Sequence, residues 1–334
     1  RQAPGPRFFK VRQGRWIVAG TMSNPARPGE RQRPACSDAR CCSLSLSLSL
    51  PLLLPLPLRP TLYNAPMFLH DTGDPARTIA IPQSSHAWLA WQLAEHWGNR
   101  RFNRPLPRAE VLAAVMLHDS GWNDFDVAPG IDDDGRPKTF DRMDVETHLE
   151  IWRKSVGRAA LVSRYAGLLV ANHFCRMAEV KTADLLSRGD TTSAWLAESF
   201  RAEMDRREAS WVEGLAVDAR YQDCLEGARR QSNADILTLC DRISVYLCAA
   251  LASRFEIEAP WVEGDCSTVR LTAVDRTHWR VEPWPMEGDR VRLQCEGRLL
   301  PRTSFDSAGE FHGVLQRAPV ERLSFTLLRS SALG

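Results

Sequence analysis

"AAVMLHDSGWNDFD", residues 113–126, is the stretch on which the reading of this chain turns. Val111, Leu112, Val115 and Met116 recur at helical spacing and run directly into His118 and Asp119. An imidazole and a carboxylate side by side at the end of an apolar helix need a chemical reason.

Upstream, "SSHAWLAWQLAEHWG" (84–98) reads as a helix, with Ser84 or Ser85 as its cap and Gly98 at its end. Its apolar face is Leu89, Leu93 and Trp97, with His86 at the entrance of that face. A second helix covers 108–119, and 123–143 is a polar loop rich in turn residues. A third helix starts near Asp144, with a stripe of Val145, Leu149, Trp152 and Val156, and a fourth covers about 158–174. Residues 177–232 are helical but charged. The segment 233–252 is apolar nearly all round, which predicts a central, buried helix. After about Trp261 the period changes to alternation, in "STVRLTAVD", "HWRVEPWPM", "DRVRLQCEG" and "VERLSFTLL". The expected fold is therefore mainly α: a helical domain over 67–260, then a small antiparallel β module over 261–334 packed on the helices.

The first 66 residues do not resemble the remainder. They hold ten Lys or Arg against two acids and a Ser-Leu alternation at 43–58. The apolar run begins too late for a secretory signal, and serines and prolines interrupt it too often for a membrane helix. The expectation is translated upstream sequence, with the natural start at Met67, or otherwise a disordered segment. That segment carries an excess of eight positive charges, so the formal +2 of the whole chain becomes −6 over 67–334. A mildly acidic body without a basic run predicts no nucleic-acid partner and no membrane association. Six of the nine cysteines follow Met67 and none forms a CxxC pair, which predicts reduced, buried thiols in a cytoplasmic protein.

Four histidines, His86, His118, His148 and His173, each fall on or beside the apolar stripe of a different helix. Asp241 sits four residues after Leu237 and four before Val245, on the most hydrophobic helix of the chain. A buried ionised carboxylate needs a partner, and Arg242 points about 100° away from it. A metal ion held by histidines from neighbouring helices would satisfy the imidazoles and the carboxylate together. Taken singly, an inward histidine is more often a hydrogen-bonded core residue, and no local metal signature such as HExxH is present. The order of the residues carries the inference.

In that order the chain resembles the HD superfamily of helical metal-dependent phosphohydrolases. "LHDSGW" resembles its central motif, and an early His86, the His118-Asp119 pair and a late Asp241 in "LTLCDRIS" follow its pattern over about residues 80–250. The resemblance implies an HD-like helical bundle, with one or two divalent metals (Mn, Fe or Zn) held by His86, His118, Asp119, His148, His173 and Asp241. It assigns the chemistry to His118 and Asp119. Trp122 stands where Lys or His is usual, and Ser120 replaces an apolar residue. A nearer resemblance, to a bacterial family named only as domain of unknown function 3891, rests on "IPQSSHAWLAWQLAEHWG", "HDSGW", "LCDRISVYLC" and "VEPWPM". It runs from about Met67 to the C-terminus and implies no activity.

Consecutive ligands would diverge by about 100° in mid-helix, so both face one point only at a helix end, where Gly121 is expected to let the backbone turn away. The expected substrate is a small phosphate ester or nucleotide, with Lys138, Arg142 and Arg176 as candidate phosphate contacts. The same six ligands would also suit a di-iron centre that activates oxygen. A non-catalytic binding or sensor protein, with Trp261, Trp279 and Trp284 making partner contacts, is the reading from outside enzymology.

Overall fold

Alternating apolar and polar residues do build strands in the C-terminal third, but they join a larger sheet than the sequence predicts. The computed structural model describes residues 67–330 apart from 75–76, 128, 139–142 and 263–265. The expectation for 1–66 lies outside the described residues, which all belong to one compact unit.

The chain opens with two short strands, β1 (Phe68–Asp71) and β2 (Thr78–Ile81). Helices follow: α1 (Gln83–His96), α2 (Arg108–Leu117), a single 3₁₀ turn (Ser120–Trp122), α3 (Asn123–Val127), α4 (Val145–Val162), α5 (Arg164–Ser187) and α6 (Thr191–Ala216). After the short α7 (Gln222–Leu225) comes α8 (Gly227–Ala249). The last part holds β3 (Arg254–Pro260), β4 (Cys266–Ala273), β5 (His278–Glu282), β6 (Arg290–Leu300), α9 (Ala308–Arg317) and β7 (Val320–Arg329).

All seven strands form one sheet in the order β1-β2-β6-β7-β5-β4-β3. This corrects the expected fold: the protein is not an HD-like, mainly α bundle carrying a small antiparallel β module. The sheet is large and curled, it takes strands from both ends of the described chain, and it is mixed, because β7 runs parallel to β5. The two N-terminal strands escaped sequence reading for a physical reason. "FLHD" and "TIAI" are four residues each, and "TIAI" is buried throughout, so neither shows the alternation by which half-buried strands are recognised. β3 was hidden by its junction with α8, which ends at Ala250 in the left-handed conformation (φ 50°) only four residues earlier.

The helices were more legible. The helix expected to start near Asp144 does so, and the Asp144 carboxylate caps α4 by accepting Thr147 N–H at 2.8 Å. The expected fourth helix at 158–174 is divided differently: α4 runs on to Val162, and Ser163 breaks the chain with extended backbone before α5 begins. α8 is central, touching α1, α5, β1 and β3. One core spans helices and sheet, with Leu89, Trp152, Leu169, Leu237, Leu293 and Leu327 all buried in it. Trp152 stacks on Phe174 at 5.0 Å between ring centres, 16° from parallel. A smaller core of Met67, Ala80, Leu300, Phe305, Phe311 and Leu315 lies beneath α9.

Trp279 and Trp284 are buried and Trp261 packs edge-on against Phe102 at 5.0 Å, so these rings fill the interior as ordinary aromatic packing does. Of the six described cysteines four are buried, Cys175 is half-buried and Cys266 is exposed. No described helix is long and apolar enough to cross a membrane.

Candidate metal centre

Helix α2 stops where the sequence places its polar pair. His118 keeps helical backbone (φ −56°, ψ −35°), whereas Asp119 leaves it (φ −104°, ψ 14°), so the two side chains swing toward one point. Gly121 serves this end otherwise than expected. Its backbone is not left-handed; instead α4 presses against it so closely that a Cβ there would stand 2.1 Å from Ile151 O and 2.8 Å from Ser155 Oγ. Its N–H donates to Ser155 Oγ at 2.8 Å, which clamps the 3₁₀ turn to α4.

Three helices converge on the pair. His86 from the first turn of α1, His118 and Asp119 from the end of α2 and Asp241 from mid-α8 present ligand atoms all within 4.8 Å of one another. His86 Nε2 lies 3.0 Å from Asp241 Oδ1 and 3.4 Å from Asp119 Oδ2. His118 Nε2 lies 3.2 Å from Asp119 Oδ2 and 3.3 Å from Asp241 Oδ1. His173, on α5, approaches from the side, its Nε2 3.7 Å from Asp241 Oδ2. The imidazoles are buried, and the carboxylates keep 12% and 19% of their side-chain surface, so the group opens to solvent on its acidic side.

The far nitrogen of each imidazole decides its tautomer. His118 Nδ1 is 2.7 Å from Val115 O, which can only accept, so Nδ1 carries a proton. Ser244 Oγ donates to Asp241 O at 2.8 Å and must therefore accept from His86 Nδ1, also at 2.8 Å. Thr238 repeats the device: its hydroxyl donates to Ala234 O at 3.0 Å and accepts from His173 Nδ1 at 3.2 Å. Three Nε2 lone pairs thus point at carboxylate oxygens, acceptor against acceptor, and His118 Nε2 is a buried atom with no hydrogen-bond partner. A cation resolves that arrangement, either a second proton on the ring or a metal.

The electrostatics agree. Burial opposes charging His86 and His118, yet Asp119 and Asp241 outweigh it and raise His86 above, and His118 well above, the ordinary histidine value. Burial likewise opposes ionising Asp119 and Asp241, but His118 and His86 hold both below the usual carboxylate range. Burial dominates at His173, whose pKa falls to about 4.

His148 stands apart. No described carboxylate lies within ion-pair distance of it, and its Nδ1 is buried without a partner. Its ring packs between Trp122 (5.3 Å) and Trp152 (4.8 Å), and burial, helped by the charge of Lys181, lowers its pKa to about 4. The anomalous Trp122 is thus a wall of the His148 pocket. Of the basic candidates, Arg176 lies one turn along α5 from His173; its Nη1 binds Asp235 at 2.6 Å and its Nη2 is buried without a partner. Lys138 is exposed, and no contact ties it to the carboxylate group. Arg142 lies outside the described residues.

Sequence reading missed the supporting residues. Thr238 and Ser244 stand three residues either side of Asp241, on its face of α8, so helical spacing alone could have found them. Asp126, in the same motif as His118, replaces the serine cap predicted for α1: Pro82 occupies the cap position, and the Asp126 carboxylate accepts Gln83 N–H and Ser84 N–H, each at 3.1 Å. Burial raises that carboxyl to about 6 despite the two N–H donors. It ties α3, just past the His-Asp pair, to the first turn of the helix bearing His86.

A family model described as "Protein of unknown function (DUF3891)" matches residues 67–302. No curated protein and no solved structure matches the chain.

Proposed function

The chain belongs to the DUF3891 family, and from its histidine–carboxylate group we propose that it is a metal-dependent hydrolase of phosphate esters or nucleotides. The observation that carries this reading is the set of fixed tautomers: His86, His118 and His173 each have their proton held on Nδ1 and Nε2 directed at Asp119 or Asp241. Neutral nitrogen and carboxylate oxygen donors at this spacing fit manganese, iron or zinc, and such fixed imidazoles are how proteins prepare ligands. His86, His118, Asp119 and Asp241 would hold one ion, with His173 beside them. A second ion would need His148, which here faces the tryptophans. The resemblance of this ligand order to the HD pattern supports phosphate as the substrate group.

When bound, the metal supplies Lewis acidity and lowers the pKa of a coordinated water. The residues of the chain do the rest. His86 and His118 orient the carboxylates from the buried side. Asp119, whose carboxylate keeps 12% of its side-chain surface, would accept a hydrogen bond from the attacking water and orient it. Arg176, with one free guanidinium nitrogen, is the candidate for a phosphate oxygen. In the reaction the water oxygen bonds to phosphorus, the ester P–O bond breaks, and a proton from that water ends on the leaving oxygen.

The test is elemental analysis of the purified chain, and of a His118→Ala, Asp119→Ala variant, with hydrolysis of phosphomonoester, phosphodiester and nucleotide substrates. Stoichiometric metal and hydrolysis in the wild type, both lost in the variant, are expected. A folded wild type that holds no metal after reconstitution overturns the site. Bound iron with oxygen consumption and no phosphate release overturns the hydrolase reading and favours an oxygenase.

A further inference from the structure

On the face of the sheet turned away from the central helices, three strands set out a second arrangement. Register places Arg290 of β6 opposite Leu328 of β7, and Leu328 opposite Arg280 of β5. The next row is Arg292, Thr326 and His278. Paired residues point to one face, and the alternate residues Val291, Leu327 and Trp279 are buried in the core, so all six look outward. Residues two apart on a strand are about 7 Å apart, and residues two strands apart about 10 Å. Three guanidiniums and an imidazole therefore stand at the corners of a frame, with the Thr326 hydroxyl and Leu328 as its floor. His278, Arg290, Arg292, Thr326 and Leu328 line an open cavity of about 390 Å³ there.

What sets the frame apart is that its three arginines have no ion-pair partner among the described residues. Neighbouring arginines of the same sheet are paired: Arg270 with Glu256 at 2.8 Å, Arg322 with Glu296 at 3.0 Å and Arg329 with Asp289 at 3.4 Å. Arg280, Arg290 and Arg292 have no carboxylate within ion-pair distance among the described residues. Of the acids at its edge, Asp275 is engaged by His278 Nδ1 at 3.0 Å and Asp289 by Arg329 at 3.4 Å, and Glu282, two residues along β5 from Arg280, forms no ion pair with the three arginines. Like charges gathered on adjacent positions oppose folding, and over 67–334 the net charge is negative, so carboxylates to neutralise them are plentiful in the sequence.

We propose that this frame binds a small oligophosphate, a di- or triphosphate group free or on a nucleotide. Guanidinium forks match phosphate oxygens in pairs, and three of them exceed what a single monophosphate can occupy. The Thr326 hydroxyl adds a neutral donor on the floor. A nucleic-acid strand fits less well, because the face presents no exposed tryptophan, tyrosine or phenylalanine on which bases could stack. The site is separate from the metal centre, which the helices enclose on the other side of the sheet, and it does not depend on the hydrolase reading.

Calorimetric titration of the full chain with inorganic triphosphate tests the proposal, in metal-free buffer of about 50 mM salt, where charge screening is weak. Binding of one triphosphate is expected. Arg290→Ala, Arg292→Ala should weaken it at least about tenfold, the loss of two charge-assisted contacts. Arg322→Ala, which removes a paired arginine of the same sheet, and His118→Ala, Asp119→Ala should leave it unchanged. The proposal is overturned by no binding, by equal affinity in the Arg290, Arg292 variant, or by loss in the His118, Asp119 variant, which would place the anion at the metal centre. A single-stranded oligonucleotide that binds more tightly than triphosphate through the same arginines would overturn the choice of ligand.

Discussion

Gly121→Ala puts the construction of the candidate metal centre to its most direct test. The added methyl would lie 2.1 Å from the backbone oxygen of Ile151, where a carbon–oxygen contact normally needs about 3.3 Å. The 3₁₀ turn and α4 must separate by about 1.2 Å, the difference between those distances. Both sides are held, one by backbone and the other by the buried Ser155, so no flexible side-chain end can give way. Overpacking of this kind costs about 1–3 kcal/mol. Separation also breaks the Gly121 N–H to Ser155 Oγ bond and leaves a buried donor unpaired, a further cost of about 1–3 kcal/mol. Together they predict a loss of about 2–6 kcal/mol. Because Asp119 lies two residues upstream, metal affinity should fall with stability. Urea unfolding followed by circular dichroism gives the first quantity and metal titration the second. Ser155→Ala, which removes the acceptor without the overlap, should show only the smaller hydrogen-bond loss. If Gly121→Ala unfolds within about 1 kcal/mol of wild type, the claim that close approach of α4 shapes this helix end is wrong.

Two further outcomes follow from the same geometry. Ser244→Ala and Thr238→Ala remove the acceptors that hold the His86 and His173 protons on Nδ1; each should lower metal affinity about 10- to 100-fold while the fold persists, and a melting curve beside the metal titration separates the two effects. His148, with a pKa lowered to about 4 by burial, binds a proton in the unfolded chain near pH 6.5 but not in the folded one. Its contribution therefore destabilises the fold as pH falls from about 6.5 to 4, by an amount on the order of 3 kcal/mol, and is constant below that range. Asp126 and Glu208, raised to about 6 and 7, act in the opposite sense, so the wild-type profile mixes these terms. The difference in unfolding free energy between wild type and His148→Gln isolates the histidine; a difference that does not change between pH 7 and pH 4 would refute the assignment.

Features that depend on local spacing were legible along the chain. Helical periodicity located α1, α2, α4 and α8, alternation located β4 to β7, and the break after Leu117 placed His118 and Asp119 at a helix end. The hydrophobic surroundings of Asp241 required that it have a partner, because an ionised carboxylate on a buried helix cannot stand alone. Tertiary structure decided what no local pattern encodes. β1 and β2 are too short to show a period; they pair with each other, and β2 joins the sheet through β6, more than two hundred residues away. His86, His118, His148 and His173 looked equivalent along the chain, each inward on its own helix. The relative rotation and approach of those helices turned the first two onto the carboxylates, brought His173 alongside, and left His148 between two tryptophans. The same holds for Gly121 and for the arginines at 280, 290 and 292, which have no ion-pair partner among the described residues. A residue's type shows which contacts it can make, but which atoms come within 3 Å of it is fixed only when distant elements pack.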